Sequence, residues 1–176
     1  MKRGRFFHTV PCLIVVAVSV VVPLVAQDTP DFSGHWVLES ASPSTADIPR
    51  ALSVTMSLVR RNVRGEPMNP FFKDITVVRE LASGTSSETY QIGVVGGSLG
   101  GSVAGEFPSR HYRVIWEKQI LVIETGSYTG PTPESGQWAE RHEAWSLDPD
   151  GRLRLAITSR SSDSASRTVT LVYRRQ

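Results

Sequence analysis

The sequence predicts an all-β protein: a single antiparallel up-and-down barrel of roughly eight to ten strands. Many short segments alternate apolar and polar residues, as in Leu52, Val54 and Met56 with Ser53 and Thr55 between them. The connections after residue 110 are short enough for antiparallel neighbours, and no convincing amphipathic helix interrupts them. A single sheet of this size favours closure, because a barrel leaves no open edge. A two-sheet sandwich is the competing geometry.

The first 26 residues have the three-part pattern of a secretory signal peptide. Lys2, Arg3 and Arg5 precede an almost wholly apolar run over residues 11–26, and polar residues follow from Gln27. The run is shorter than the roughly 20 residues that a membrane-spanning helix needs, so we expect cleavage near Ala26. An uncleaved N-terminal anchor is the alternative. The predicted organisation is therefore a signal peptide, 1–26, followed by one barrel domain, 27–176, that is secreted or periplasmic and has no membrane span.

Charge and cysteine content exclude several classes of function. Without residues 1–26 the chain has 16 Lys and Arg against 17 Asp and Glu, a net charge of −1. Nucleic-acid binding loses its main support, because it needs a clustered positive field. The single cysteine, Cys12, lies within the predicted signal, so the mature domain has no disulfide, thiolate metal site or cysteine nucleophile. Its stability must come from its core.

The strands are predicted from alternation and from turn signals between them. The strongest turn is Asp148-Pro149-Asp150-Gly151, and Lys118-Gln119 marks a second one. Serine, proline, threonine and aspartate indicate a loop over residues 41–50, and two prolines with Gly65 and Asn69 indicate a long loop over 60–70. The predicted strands are Gly34 to Ser40, Ala51–Arg61, 75–81, 89–95, Arg110–Glu117, 120–127, Gln137–Leu147, 152–160 and 167–175.

A glycine-rich stretch, residues 93–105, superficially resembles a phosphate-binding loop. It lacks the Gly-Lys-Ser/Thr ending, and no helix pattern follows it. Glycines among strands more often mark bulges, bends or close backbone approach. We therefore predict no nucleotide cofactor.

The start and end of the domain resemble the calycin superfamily of lipocalins and fatty-acid-binding proteins. Phe32-Ser33-Gly34-His35-Trp36 is similar to its first strand, where Gly-x-Trp lies at the closed end of the barrel. The same opening resembles uncharacterised secreted bacterial proteins that begin Asp-Phe-Ser-Gly-x-Trp. The resemblance implies that Gly34 and Trp36 close the barrel and that Arg174 or Arg175 packs over the indole as a cation–π pair.

The resemblance also implies a ligand cavity, although one family feature is missing. Tyr173 matches the Tyr of the Arg-x-Tyr that grips a carboxylate in the fatty-acid-binding branch, but Leu171 replaces the Arg. A lipocalin-like barrel that holds a small, mostly apolar molecule fits better. The candidate liners face the predicted interior: Met56, Tyr90, Tyr112, Trp116, Arg141, Glu143 and Tyr173.

Two other functions remain open from the sequence. The barrel could be a structural or protein-interaction module of the cell envelope with a filled core and no ligand. An enzyme is the third possibility, because Glu140 and His142 share a strand face and could reach one metal or substrate, with His35 and His111 as further ligands. Their number and spacing do not make a metal site, so we predict no metal and no catalytic residue. Arg141 and Glu143 share the face of Trp145 and would need polar partners inside a barrel.

Overall fold

A computed structural model describes residues 29–43, 48–98, 110–129 and 137–176; for residues 95–98 and 129 only the backbone is described. The predicted signal peptide lies outside these ranges. The described residues form one ten-stranded antiparallel sheet, which confirms the all-β up-and-down barrel. Its strands are β1 (Gly34–Ser42), β2 (Ala51–Arg61), β3 (Pro67–Leu81), β4 (Gly84–Gln91), β5 (Val95–Ser98), β6 (Arg110–Glu117), β7 (Ile120–Thr129), β8 (Gln137–Leu147), β9 (Leu153–Ser161) and β10 (Ser164–Arg175).

The sheet order is β4-β3-β2-β1-β10-β9-β8-β7-β6-β5, so the first and last strands are neighbours in its middle. Its two edges then approach each other beside β4 and β6. The amide of Gly93 donates to the carbonyl of Val114 at 2.7 Å, and the rings of Tyr90 and Tyr112 meet edge to face at 5.4 Å. These contacts nearly close the sheet into a barrel.

The structure corrects three predicted boundaries. Residues 60–70 are not a loop, because β2 runs to Arg61 and β3 begins at Pro67. A tight turn over 62–66 joins these strands, and Asn62 Oδ1 accepts the amides of Arg64 and Glu66 in place of strand hydrogen bonds. The fourth strand is Gly84–Gln91 rather than 89–95, and the last begins at Ser164 rather than 167. Polar, serine-rich pairing segments do not show the apolar alternation on which the prediction depended.

Other predicted turns are confirmed. Gly151 has φ of 76°, and its amide donates to the Asp148 carbonyl at 2.9 Å. Lys118 has φ of 60° in the tight β6–β7 turn. Of the glycine-rich stretch, residues 99–105 lie outside the described residues, and 95–98 form the short strand β5.

The strand register gives the barrel two ends. β1 begins at one end with Gly34, where Trp36 pairs with Arg175 of β10. β2 begins, and β9 turns into β10, at the other end, where Ser161 pairs with Ser164. We call the first the closed end and define it by Phe32, Trp36 and Arg175. We call the second the mouth and define it by Pro49, Arg110, Arg141 and Arg167.

Candidate functional site

The closed end is filled by aromatic side chains. Trp36 is fully buried, and its indole Nε1 donates to the carbonyl of Phe32 at 2.9 Å. Phe32 precedes β1 and was not among the residues predicted to close the barrel. Its ring is buried, stacks on Trp116 at 5.9 Å and meets Trp145 edge to face at 6.1 Å. Around these rings lie buried aliphatic residues of the core: Leu52, Val54, Ile75, Val77, Leu121, Leu153 and Leu155.

Arg175 covers the outside of this plug. Its guanidinium lies 4.7 Å from the centroid of the Trp36 ring, and its Nη2 donates to the Asp31 carbonyl at 3.3 Å. Arg174, the other candidate, is exposed and lies opposite Val37 in the ladder with β1. Gly34 has φ of 142°, and a Cβ there would lie 3.4 Å from Arg175 Nε. Glycine therefore permits both this backbone geometry and the approach of the arginine.

Above the plug, an ionic network crosses the barrel interior. Arg79 of β3 is 5% exposed and reaches Glu143 of β8, which is 3% exposed. Its Nη2 lies 3.0 Å from both carboxylate oxygens of Glu143, while its Nη1 lies 2.7 Å from Glu88 Oε2 on β4. The carboxylate of Glu143 also accepts Arg141 Nε at 2.6 Å and the indole Nε1 of Trp145 at 2.9 Å. One buried carboxylate thus joins β3 to β8 across the barrel.

The second carboxylate, Glu88, extends the network toward the mouth. It accepts the Tyr90 hydroxyl at 2.7 Å and a guanidinium hydrogen bond from Arg110. Three guanidinium groups, on Arg79, Arg110 and Arg141, therefore face two carboxylates, which leaves one excess positive charge at the mouth, where the side chains of Arg110 and Arg141 are partly exposed.

The network determines the charge state of its members. Burial alone would raise the pKa of the Glu143 carboxyl, but the charges of Arg79 and Arg141 hold that pKa below its ordinary value. Burial also opposes ionisation of Glu88, whose pKa is nevertheless lowered by the Tyr90 hydroxyl hydrogen bond and by Arg79. For Arg79, burial works against the charged form, and the carboxylates of Glu143 and Glu88 overcome it and raise the pKa. All three groups are therefore ionised at neutral pH.

One donor of the network is unused. Arg79 Nε is buried and has no hydrogen-bond partner within the part of the chain that the structure describes. An unpaired buried donor costs about 1–3 kcal/mol, so Arg79 Nε offsets part of the stability that the other hydrogen bonds of Arg79 contribute.

Cavities surround this network at the mouth. One of about 260 Å3 is lined by Pro49, Arg79, Leu81, Ser86, Glu88, Tyr90, Arg110, Thr125, Arg141 and Glu143. Another of about 250 Å3 is lined by Ile48, Pro49, Arg141, Ile157, Ser159, Arg167, Val169 and Leu171. A third, about 330 Å3, lies along β7 to β9 and includes Arg110, Arg141 and Ser159. Arg141 lines all three.

The structure divides the predicted ligand liners between the two regions. Arg141, Glu143 and Tyr90 line the 260 Å3 cavity. Met56 accepts the Phe32 amide on its sulfur, and Trp116 stacks on Phe32, so both belong to the packed closed end. The remaining two tyrosines are buried. Tyr173 donates to the Pro49 carbonyl at 3.0 Å, and the Tyr112 hydroxyl accepts the Gln91 amide at 3.4 Å.

Sequence reasoning missed Arg79, Glu88 and Arg110. A signal for Arg79 was present, because Ile75, Val77, Arg79 and Leu81 alternate on one face of β3. A charged residue on an otherwise apolar face indicates a buried polar contact. The same criterion identified Arg141 and Glu143. For Glu88 and Arg110 the neighbouring residues are polar, so alternation gives no comparable contrast.

The residues considered for metal or acid–base chemistry lie on other surfaces. Glu140 and His142 alternate with Arg141 and therefore lie on the outer face of β8, and the His111 ring lies against Gly126 of the neighbouring strand. They border a cavity of about 550 Å3. His35, on β1, hydrogen bonds instead with Ser53 at 3.0 Å. In the described ranges no group of three or more His, Cys, Asp or Glu side chains is placed to hold a metal ion.

Fold and site together define a class: an antiparallel up-and-down β-barrel with one plugged end and a charged interior at the other. No protein-family model matches the chain, and no curated protein is significantly similar to it. Among the described residues no helix has the length and apolar character that crossing a membrane requires.

Proposed function

We propose that this protein is a secreted or periplasmic, lipocalin-like barrel that binds a small, mostly apolar molecule carrying a negatively charged group. The observation that carries the proposal is the 250 Å3 cavity at the mouth. The guanidinium groups of Arg141 and Arg167 lie at this cavity, most of whose lining surface is polar, and Ile157, Val169 and Leu171 form its smaller apolar part. Ligand sites are concave and use a few polar groups to fix the orientation of the ligand.

The charge of the interior supports an anionic group on the ligand. The network has one more guanidinium than carboxylate, and Arg167 adds a further cation at the cavity. Carboxylate and sulfonate groups accept paired guanidinium hydrogen bonds, which neutral alcohols cannot do.

The size of the site limits the ligand. The cavities of about 250 and 260 Å3 share Arg141 and Pro49, so they adjoin at the mouth. Together they fall within the roughly 300–1,000 Å3 range of small-molecule pockets. At the closed end, the buried ring of Phe32 instead contacts the rings of Trp116 and Trp145. A medium-chain carboxylate is therefore a better match than a long-chain lipid.

The alternative is a structural barrel without a ligand. Its support is the packed closed end together with the mutual pairing of Arg79, Glu88 and Glu143, which would hold opposite strands together with no further partner. The two functions differ in whether the mouth binds an amphipathic anion.

The test compares octanoate with 1-octanol by isothermal titration calorimetry. We expect octanoate to bind the protein saturably and at least about tenfold more tightly than the alcohol, because only the carboxylate can pair with arginine. Arg167→Gln should reduce that preference several-fold. Arg167 is exposed, so its replacement should leave the fold intact.

The matched control is Arg154→Gln. Arg154 is an exposed arginine of β9 that alternates with the buried Leu153 and Leu155 and therefore lies outside the barrel. The Arg154→Gln protein should bind octanoate with the same affinity as the unmodified protein. If neither probe binds, the structural barrel is the better account.

A further inference from the structure

The strands β2 and β3 continue beyond the barrel as a two-stranded hairpin, residues 58–72, which we call the β2–β3 arm. β1 pairs with β2 only from Ala51 to Val54, and β4 pairs with β3 only from Asp74 onward. Within the arm, β2 and β3 pair with each other. The sequence analysis predicted a loop over residues 60–70 and therefore did not predict this hairpin.

The arm exposes an unusual concentration of apolar side chains. The described residues include five large hydrophobic side chains that are exposed, and four of them belong to the arm: Leu58 at 41%, Val63 at 106%, Met68 at 39% and Phe71 at 45%. Leu58 pairs with Phe72 and Val59 with Phe71, so the exposed side chains occupy both faces of the hairpin. Single exposed hydrophobic residues are ordinary, but four of them within one uncovered hairpin favour an interaction site. The arm is therefore a candidate contact site.

The arm is also positively charged. Arg60, Arg61 and Arg64 are exposed cations, and Glu66 is the one carboxylate, so residues 58–72 have a net charge of 3 − 1 = +2. Residues 27–176 as a whole have a net charge of −1, so the remainder has −3. The positive charge is thus local to the arm and is opposed to that of the rest of the domain.

The tip of the arm is held in one conformation. Asn62 Oδ1 accepts the amides of Arg64 and Glu66 at 2.9 and 3.0 Å, and Asn62 Nδ2 donates to Glu66 Oε2 at 2.9 Å. Gly65, with φ of 81°, completes the turn. This arrangement presents Val63 and Arg64 at the tip and engages the only carboxylate of the arm within the protein.

The chain enters the barrel at the base of this arm. The amide of Phe32 contacts Met56 Sδ at 3.3 Å, and Ser33 Oγ accepts the Met56 amide at 3.0 Å, two residues before the arm begins. The apolar run of residues 11–26 therefore precedes, by a few residues of sequence, the end of the barrel that carries the arm.

We propose that the β2–β3 arm binds the surface of an anionic membrane, with Val63, Met68 and Phe71 in the interfacial region and Arg60, Arg61 and Arg64 at the phosphate groups. Peripheral membrane binding combines buried apolar area with attraction of basic side chains to anionic lipids. Nucleic acid would use the cations but not the apolar tip. Pairing with a second copy is disfavoured at the free edge of β3, because Pro67 and Pro70 remove donors there.

The test is cosedimentation of the chain from Gln27 onward, which contains every described residue, with vesicles of phosphatidylcholine and phosphatidylglycerol. Starting at Gln27 removes the apolar run, which could bind lipid by itself. We expect binding that weakens with added salt and is nearly lost on phosphatidylcholine alone. Replacing Arg60 and Arg61 together by glutamine should weaken binding about 30-fold, roughly fivefold for each arginine.

Three further variants distinguish binding by the arm from an effect of overall charge and from misfolding. Arg154→Gln with Arg174→Gln removes the same charge from exposed sites outside the arm and should change binding less than about twofold. Val63→Asp should weaken and Val63→Trp should strengthen binding, and neither should alter folding because Val63 is fully exposed. Equal loss in both arginine pairs, absence of vesicle binding, or arm variants that change only the oligomeric state would each overturn the proposal.

Discussion

The two halves of the barrel interior contain different kinds of buried side chain, aromatic at the closed end and charged toward the mouth. At the closed end, Phe32, Trp36 and Trp145 are fully buried, and apolar side chains fill the interior. Toward the mouth, Arg79 and Glu143 are equally buried but are charged, and cavities remain around them. Apolar side chains do not titrate, whereas a buried ion pair depends on the ionisation of each partner. The closed end therefore stabilises the fold independently of pH, whereas the stability contributed at the mouth depends on ionised side chains.

The largest expected effect comes from removing the charge at the centre of the mouth. Glu143→Gln leaves the guanidinium groups of Arg79 and Arg141 without their shared carboxylate, and we expect a loss of about 3–5 kcal/mol in the free energy of unfolding. Urea unfolding followed by tryptophan fluorescence measures it. Glu140→Gln, at an exposed position on the other face of the same strand, should change stability by less than about 0.5 kcal/mol. Equal effects of the two variants would show that the network is not a stabilising element.

A second prediction concerns pH. The pKa values of Glu143 and Glu88 are held below their ordinary value of 4.5 in the folded protein. A carboxylate with a lowered pKa stabilises the fold fully above its unfolded pKa, and this contribution is lost as the pH falls through the folded pKa. Stability should therefore be nearly constant from neutral pH to about 5 and should fall below about 4.5.

Urea midpoints measured across this range test the second prediction. In Glu143→Gln the decline below pH 4.5 should be shallower, because one of the two titrating carboxyls is absent. An unchanged slope in this variant would assign the acid sensitivity to other groups.

The smallest effect on stability is expected at the closed end, where the guanidinium of Arg175 lies over the buried Trp36 ring. Arg175→Ala removes the cation–π contact with Trp36 and should lower the free energy of unfolding by about 0.5–1 kcal/mol. The effect is small because the guanidinium is partly hydrated. Arg174→Ala is the matched neighbour and should cost less than about 0.5 kcal/mol. Thermal unfolding of both variants, at neutral pH, gives the difference. A larger loss for Arg174 would reverse the assignment of the covering residue.

The sequence predicted the fold better than the site, for physical reasons. Alternation with strong apolar contrast, as in Ala51–Arg61 and Leu153–Ser161, is a local property, and the strands follow it. The serine-rich strand Gly84–Gln91 lacks this contrast because β4 is an edge strand with few buried side chains, and its boundaries were wrong. The prediction of a loop over residues 60–70 was wrong. Proline is tolerated at the uncovered edge of a strand, and glycine is tolerated in the turn of a hairpin.

The ionic network shows where local patterns stop being informative. Arg141 and Glu143 could be identified as charged residues on the face of Trp145, two positions apart on one strand. Their main partner, Arg79, lies 64 residues from Glu143 and meets it only because the barrel closes. No spacing rule brings β3 and β8 together. Phe32 was missed for the same reason, since its partners Trp116 and Trp145 come from strands far along the chain.

The central claim, that the mouth binds an amphipathic anion while the closed end only supports the fold, is tested most directly by mapping octanoate onto the protein. Backbone amide NMR shifts recorded during a titration should change saturably at Arg141, Ile157 and Val169, and should remain unchanged at Trp36 and Leu153. Shifts confined to the closed end or to the outer face, or no saturable shift at any concentration below the micelle threshold, would contradict the account.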